Sequence, residues 1–387
     1  MKPEEVLEAV RALAPLLRER SAEGESLRRL PEATVKDMKA TRMTKLLQPQ
    51  RFGGYEAEPR IFYECVLTVA AACGSAGWVS GVVGVHPWQI AHWDDAVQQE
   101  IWGEDDETWV SSSYMPGGKL HPVEGGYRLS GRWSFSSGSD HCQWVILGTP
   151  VVNEEDKIIG QRNTLLRRGE YVVEDVWDTV GLRGTGSNDI VVQDMFVPEY
   201  RTLDLARMFT WTSPGLEVNS SPLYRLPFAT LFSYAITGPI IGMAEGMLAE
   251  AVEYTRQRVS KVWGKALDDP YTVAAIGEAA REIAACRALL FQTLTTMYGG
   301  VCAGQEPSME ERAAARRDQV LGTNRAVAAI DNIFDRSGAG AILSANPMQR
   351  IWRDAHAARH HTINSGERAL FSYANVILGL HPTDPMV

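Results

Sequence analysis

Apolar residues recur at three- and four-residue spacing in two early stretches, EEVLEAVRALAPLLRER and RIFYECVLTVAAACGSAGWVSGVVGVH, which predicts helices up to about residue 105. The second stretch is small and apolar enough for burial. From Glu107 to about Tyr200 the period changes to short alternating or apolar runs, WVSSSYMP, GYRLSGRWSFSSG, QWVILGTPVV and NDIVVQDMFVP. Turn residues separate them, Gly125-Gly126 suits a hairpin, and a β domain is predicted. A loop-like stretch, TWTSPGLEVNSSPLYRLPFA, then leads into three long helical patterns, GPIIGMAEGMLAEAVEYTRQRV, TVAAIGEAAREIAACRALLFQTLTTMY and MEERAAARRDQVLGTNRAVAAIDNIFDRS, which suit an antiparallel four-helix bundle. Asn346 and Pro347 read as the N-cap and first-turn proline of a last helix. The expected fold class is α+β in three domains: 1–105 helical, 106–205 a β-barrel or sandwich, and 206–387 a helical bundle.

At 387 residues the chain exceeds the usual single core and can bury a large site. Hydrophobic residues at 45%, charged residues at 22% and a net charge of -10 suit a globular protein acting on a small molecule, and argue against nucleic-acid or acidic-membrane partners. The N-terminus reads as an amphipathic helix rather than a secretion signal, no apolar stretch reads as a bilayer span, and a cytoplasmic location is expected. The five cysteines form no CxxC pair and read as buried thiols. No GxGxxG after a strand, GxxxxGK[ST], HExxH or GxSxG occurs, and GLRGTGSND has the wrong spacing for a dinucleotide fingerprint. A redox enzyme of this sequence therefore carries no Rossmann nicotinamide site of its own.

Near the C-terminus, IWRDAHAARHHTIN concentrates histidine in an otherwise bland region. His356 and His360 share a helix face at zinc-ligand spacing, but no further ligand pair is evident, and a polar helix end with positive charge at its C-terminus is the alternative. His86, in VVGVHPWQ, ends an apolar helical pattern, as either a hydrogen-bonded core histidine or a functional one.

Three blocks, LSGRWSFSSGS, GLRGTGSNDIVVQDMFVP and FDRSGAGAILSANPMQRIWRDAHA, together with the order α, β, α, resemble the acyl-CoA dehydrogenase superfamily over nearly the whole chain. That resemblance implies that RWSFSSG holds a flavin ring, with Phe135 against it, Ser136 beside it and the Ser137 hydroxyl at its N5 edge. It implies the same of Ser112 and Ser113 at the pyrimidine edge, the alternative being plain strand-edge hydrogen bonding. RQRVSKVWGK, with Arg258, resembles only loosely the motif by which those dehydrogenases hold a neighbour's FAD. Many of them carry Tyr-Glu-Gly-Thr after the Arg-Asp motif; counted from Arg353-Asp354, this chain has His361-Thr362-Ile363-Asn364, without the carboxylate base.

A histidine at that place resembles the oxygenase components of two-component flavin-dependent monooxygenases built on the same fold. Within that group, LLQPQRFGGYE, CGSAGWVSGVVGVH, WGEDDETWVSSSY, VGLRGTGSND, RRDQV, WRDAHAAR and the final MV resemble the actinobacterial oxygenases of steroid catabolism that hydroxylate a phenolic seco-steroid beside its hydroxyl. The resemblance implies reduced FMN or FAD and O2 as co-reactants, a flavin C4a-hydroperoxide as oxidant, a separate NAD(P)H:flavin reductase and a homotetramer. It implies that His361 sits by the oxygen adduct, that Asn364 orients the adduct or His361, and that His86 lies across the pocket as phenol partner or second donor. Tyr114, Phe228, Phe232 and Tyr234 are expected to wall the substrate cavity. SPLYRLPFATLFSY departs from the seco-steroid pattern, so other polycyclic phenols stay open. An acyl-CoA dehydrogenase and a nitrogen- or sulfur-oxidising monooxygenase are the alternatives.

Overall fold

The computed structural model describes residues 1–260, 262 and 264–387; Lys261 and Trp263, in the run that loosely resembles a FAD-holding motif, lie outside the described residues. The N-terminal part is helical: α1 (Pro3–Glu19), α2 (Ser21–Leu27), α3 (Glu32–Thr41), α4 (Pro59–Ala72), α5 (Gly74–Ile90) and α6 (Asp95–Trp102). In α1 the buried residues Val6, Val10, Leu13 and Leu17 form one stripe at helical spacing. The long apolar stretch after Arg60 is two helices rather than one. Cys73 takes an extended conformation between α4 and α5, and the chain turns back so tightly that a Cβ on Gly77 would lie 2.3 Å from that of Ala70.

Eight strands follow: β1 (Val110–Ser113), β2 (Gly118–Val123), β3 (Gly126–Ser136), β4 (Trp144–Val152), β5 (Ile158–Arg167), β6 (Val172–Glu174), β7 (Asn188–Pro198) and β8 (Thr202–Asp204). They form one sheet in the order β6-β7-β3-β2-β4-β5-β8, with β1 joined in parallel to β4. Its inner face closes on a separate apolar core that includes Leu120, Leu129, Trp133, Val145, Leu147, Ile190 and Val192. Gly125, with φ +78°, makes the β2–β3 turn.

Helices resume with α7 (Leu205–Phe209), α8 (Phe228–Gln257), α9 (Pro270–Cys302), α10 (Met309–Arg336), α11 (Pro347–Arg359) and α12 (Gly366–Ile377). Helix α8 starts ten residues before the expected GPII, because Pro227 serves as its N-cap and FATLFSY continues the helix. It is also the one described helix long and apolar enough to cross a bilayer, contrary to expectation, yet 89% of that window is buried within the protein, as befits a core helix. The Ser308/Glu311 capping box opens α10, and Asn346 caps α11 through Met348 N–H. Cys65, Cys142 and Cys286 are buried as expected, whereas Cys73 is half-buried and Cys302, the last residue of α9, is exposed.

Candidate active site

Helix α5 carries two of the site's side chains. Trp78 and His86 are eight residues apart, about two helical turns or roughly 12 Å along the axis. Small residues let α5 sink into the protein: a Cβ on Gly81 would meet Ala235 O at 2.5 Å, and one on Gly84 would meet the Phe62 ring at 2.5 Å. At the first position the Trp78 indole donates to Ser137 Oγ (3.0 Å) and lies 5.9 Å from the His361 ring, joining β domain, N-terminal helices and C-terminal turn. Sequence reading missed this role. Its only signal was a tryptophan within a run of small residues.

At the second position His86 is buried, and its Nδ1 faces Val110 O at 2.6 Å. A carbonyl only accepts, so Nδ1 carries the proton and Nε2 is left with a bare lone pair. Burial lowers its pKa to about 4, outweighing the Val110 bond, which acts in the opposite direction, so the ring is neutral at pH 7.

His361 has the opposite arrangement. It precedes a single 3-10 turn, Thr362–Asn364, and its Nδ1 accepts Ile363 N–H at 3.2 Å. The proton of the neutral ring therefore sits on Nε2, making that atom a donor. Neighbouring protein atoms, with the Arg316 charge, hold the ring's pKa below the ordinary histidine value, while its outer face stays open to solvent. Asn364 holds this turn. Its Oδ1 accepts from Gln319 Nε2 (2.9 Å) and Thr323 Oγ1 (3.2 Å), and its Nδ2 donates to Ala358 O and Arg359 O. With both donors and both lone pairs committed within the chain, the Asn364 side chain braces the turn that carries His361 and keeps no free group for an oxygen adduct.

On the β side, the β3 ladder slips between Trp133 and Ser136, and Phe135 has φ +67°, a left-handed conformation that a bulky side chain seldom adopts. The bulge turns Phe135 outward, 62% exposed, with its ring edge-on to Trp177 at 6.1 Å. Ser137 bonds to Ser187 Oγ (2.8 Å), and Ser187 to Thr185 Oγ1 (2.7 Å). Ser136 points the other way: it is fully buried, its hydroxyl without a partner within the chain, so its side chain does not face outward beside Phe135. Ser113 donates to Ser134 O (2.7 Å), tying β1 to β3 just before the bulge, while Ser112 lies on the other face of β1 and hydrogen-bonds with Tyr114.

An aromatic box surrounds His86. The Tyr114 and Phe232 rings lie 6.4 and 6.0 Å from it, and Phe228 stacks on Phe232 at 4.1 Å. Trp88, absent from the expected set, packs 6.2 Å from Phe232, and Tyr114 donates to Gln89 Oε1 at 2.5 Å. Tyr234 is not in the box. Two residues beyond Phe232 it is turned about 200° around α8, so its ring meets Tyr63 and its hydroxyl reaches Ala315 O. Arg258 also stands apart within one chain: it donates to Arg336 O beyond the end of α8.

His356 pairs with Asp331 at 2.8 Å beside the Trp352 ring, which accounts for it as a packed polar residue. Among the described residues no three His, Cys, Asp or Glu side chains are placed to hold a metal. A surface depression of about 500 Å³, lined by Arg51, Phe52, Trp102 and Asp106 among others, includes none of the candidate residues.

Residues 234–366 match the family model described as "Acyl-CoA dehydrogenase, C-terminal domain". The chain is 44% identical to the flavin-dependent monooxygenase, oxygenase subunit HsaA, of Rhodococcus jostii (strain RHA1), over 97% of this chain and 99% of that protein. The crystal structure of 3-HSA hydroxylase from Rhodococcus sp. RHA1 superposes with TM-score 0.96 at 44% identity, covering 99% of each chain. XiaF from Streptomyces sp., solved in complex with FADH2 and glycerol, superposes with TM-score 0.92 at 26% identity over 100% of this chain and 98% of that one.

Proposed function

This chain belongs to the oxygenase subunits of flavin-dependent monooxygenases built on the acyl-CoA dehydrogenase fold, and from that premise we propose that it hydroxylates a polycyclic phenol ortho to its hydroxyl. A seco-steroid phenol is the favoured class, because the sequence resembles the seco-steroid oxygenases and the chain is 44% identical to a 3-HSA hydroxylase over 99% of its length. The enzyme uses reduced flavin, FMN or FAD, delivered by a separate reductase.

The residues present fit a reduced flavin. An outward aromatic at Phe135, held by a strained bulge, offers a face for a planar ring, and Ser137 keeps one lone pair beside it. Ser112 and Ser113 supply the neighbouring strand. When bound, reduced flavin and O2 together supply an electrophilic oxygen. This chain's part is to direct and protect that chemistry.

The observation that carries the proposal is the pair of fixed, opposite tautomers. His86, with Nε2 bare in a dry aromatic box, takes the phenol proton and so raises electron density at the ortho carbon. His361, with Nε2–H outward, donates a hydrogen bond at the reacting oxygen and retains it against loss as H2O2. Tyr114, Phe228 and Phe232 exclude water around the ring being attacked. The His361-Thr362-Ile363-Asn364 turn offers no carboxylate for abstracting a proton from an acyl thioester, which disfavours the dehydrogenase chemistry of the wider fold.

The test is to feed reduced flavin from a reductase, with a polycyclic phenol, and measure catechol and H2O2 per NADH consumed. Wild type should give mainly catechol. His361→Ala should still bind reduced flavin but divert turnover to H2O2, and coupled turnover in that variant would sink the assignment.

A further inference from the structure

Trp78, Ser137, Ser187 and Thr185 form a chain whose proton directions can be followed from its ends. The Trp78 indole N–H can only donate, and it meets Ser137 Oγ at 3.0 Å. At the other end Thr185 Oγ1 lies 2.9 Å from Leu182 O, which can only accept. Thr185 has one proton, and that bond uses it. Ser187 must then donate to Thr185 across 2.7 Å, and Ser137 must donate to Ser187 across 2.8 Å. Ser187 and Thr185 are buried, so water does not compete for these protons.

The terminus is itself anchored. Leu182 has φ +52°, its N–H is held by Asp354 Oδ1 at 2.6 Å, and its carbonyl also receives Trp177 Nε1 at 2.8 Å and Thr185 N–H at 3.1 Å, so the Thr185 hydroxyl shares an acceptor with its own backbone. Three hydroxyls therefore point one way, from the site into the protein. Ser137 accepts once, donates once inward, and presents only a lone pair outward.

We infer that Ser187 and Thr185 are positioning residues that set the redox-state preference of the cofactor site by fixing Ser137 as an acceptor. The inference rests on the flavin assignment above. Reduced flavin carries a proton on N5 and can donate to that lone pair; oxidised flavin has a bare N5 and would face it lone pair to lone pair. To bind the oxidised form, the hydroxyl row must reverse, forfeiting the Thr185–Leu182 bond. The usual worth of one such bond is a factor of about five in affinity. The row thereby favours the cofactor as it arrives from the reductase and weakens the hold on its spent form.

Anaerobic titration of wild type, Ser187→Ala and Thr185→Val with reduced and oxidised FMN and FAD, followed by tryptophan quenching, tests this without turnover. Either substitution removes the internal sink for the Ser137 proton, so oxidised flavin should tighten and the reduced-over-oxidised preference should shrink by about fivefold. Thr185→Ser, which keeps the hydroxyl, should retain the wild-type ratio. Equal weakening of both forms, or an unchanged ratio in both variants, would overturn the relay while leaving the flavin site intact. Failure of wild type to bind either form would overturn the site assignment as well.

Discussion

Single side chains here are defined by what they lack as much as by their contacts. Burial keeps His86 unprotonated at neutral pH, and if it takes the phenol proton as proposed, its pKa of about 4 sets an expectation for the pH profile. The acid limb of kcat/KM for hydroxylation should fall near pH 4, not near the ordinary histidine value of about 6.5. His86→Asn, which retains a donor for Val110 O but no base, should lose about 10²–10⁴ in that constant. Asp354 behaves in the opposite sense. Burial raises its carboxyl to about 7, despite the bond from Leu182 N–H. The folded state thus holds this proton more tightly than the unfolded chain, so the stability it contributes is full in acid and lost as pH rises through about 7. Asp354→Asn keeps the acceptor and removes the charge, so it should gain about 2–3 kcal/mol on wild type between pH 5 and pH 8 in urea unfolding.

Among the elements, the α4–α5 hairpin is the part with least slack. Gly77 sits against Ala70, and its neighbour Trp78 joins His361 to Ser137. Gly77→Ala should therefore destabilise by about 1–3 kcal/mol through overpacking and shift Trp78. Gly277, on the exposed face of α9 with nothing near its missing Cβ, is the contrast: Gly277→Ala should stabilise by roughly 0.5–1 kcal/mol, read as a rise in Tm. The β3 bulge was not legible in GRWSFSSG, because an alternating run does not reveal where the ladder slips. Its consequence is that Phe135 turns outward while Ser136 stays buried.

Across the whole molecule, the C-terminal tail is wired to the site. Asp384 and Arg316, both 4% exposed, pair at 2.9 Å; Arg316 bonds to Gln319, and Gln319 to Asn364 behind His361. Removing one partner of such a pair leaves a buried charge, so Asp384→Asn should cost about 3–5 kcal/mol and raise H2O2 release, measured by thermal unfolding and peroxide assay. The exposed apolar residues Leu370, Phe371, Ile377 and Leu378 of α12 and its end form a face suited to self-association, and the family resemblance leads us to expect a homotetramer. Light scattering should report four chains, and charge at Leu370 and Phe371 should break them apart.

The sequence by itself determined the order of helix and strand, because periods of 3.6 and 2 and the caps at Asn346 are local properties. Through its family resemblance it also pointed to the candidate chemistry: His86 and His361, the RWSFSSG strand and a turn without a carboxylate. Tertiary structure decided which atoms are free to donate or accept. The His86 tautomer depends on a carbonyl 24 residues away, and the Ser137 proton on a serine 50 residues away. Tyr234 shares a segment with Phe232 but turns to Tyr63, since side-chain direction on a buried helix follows the neighbours packed around it. Hydrogen-bond polarity is likewise set by partners from distant segments, and no local pattern encodes it.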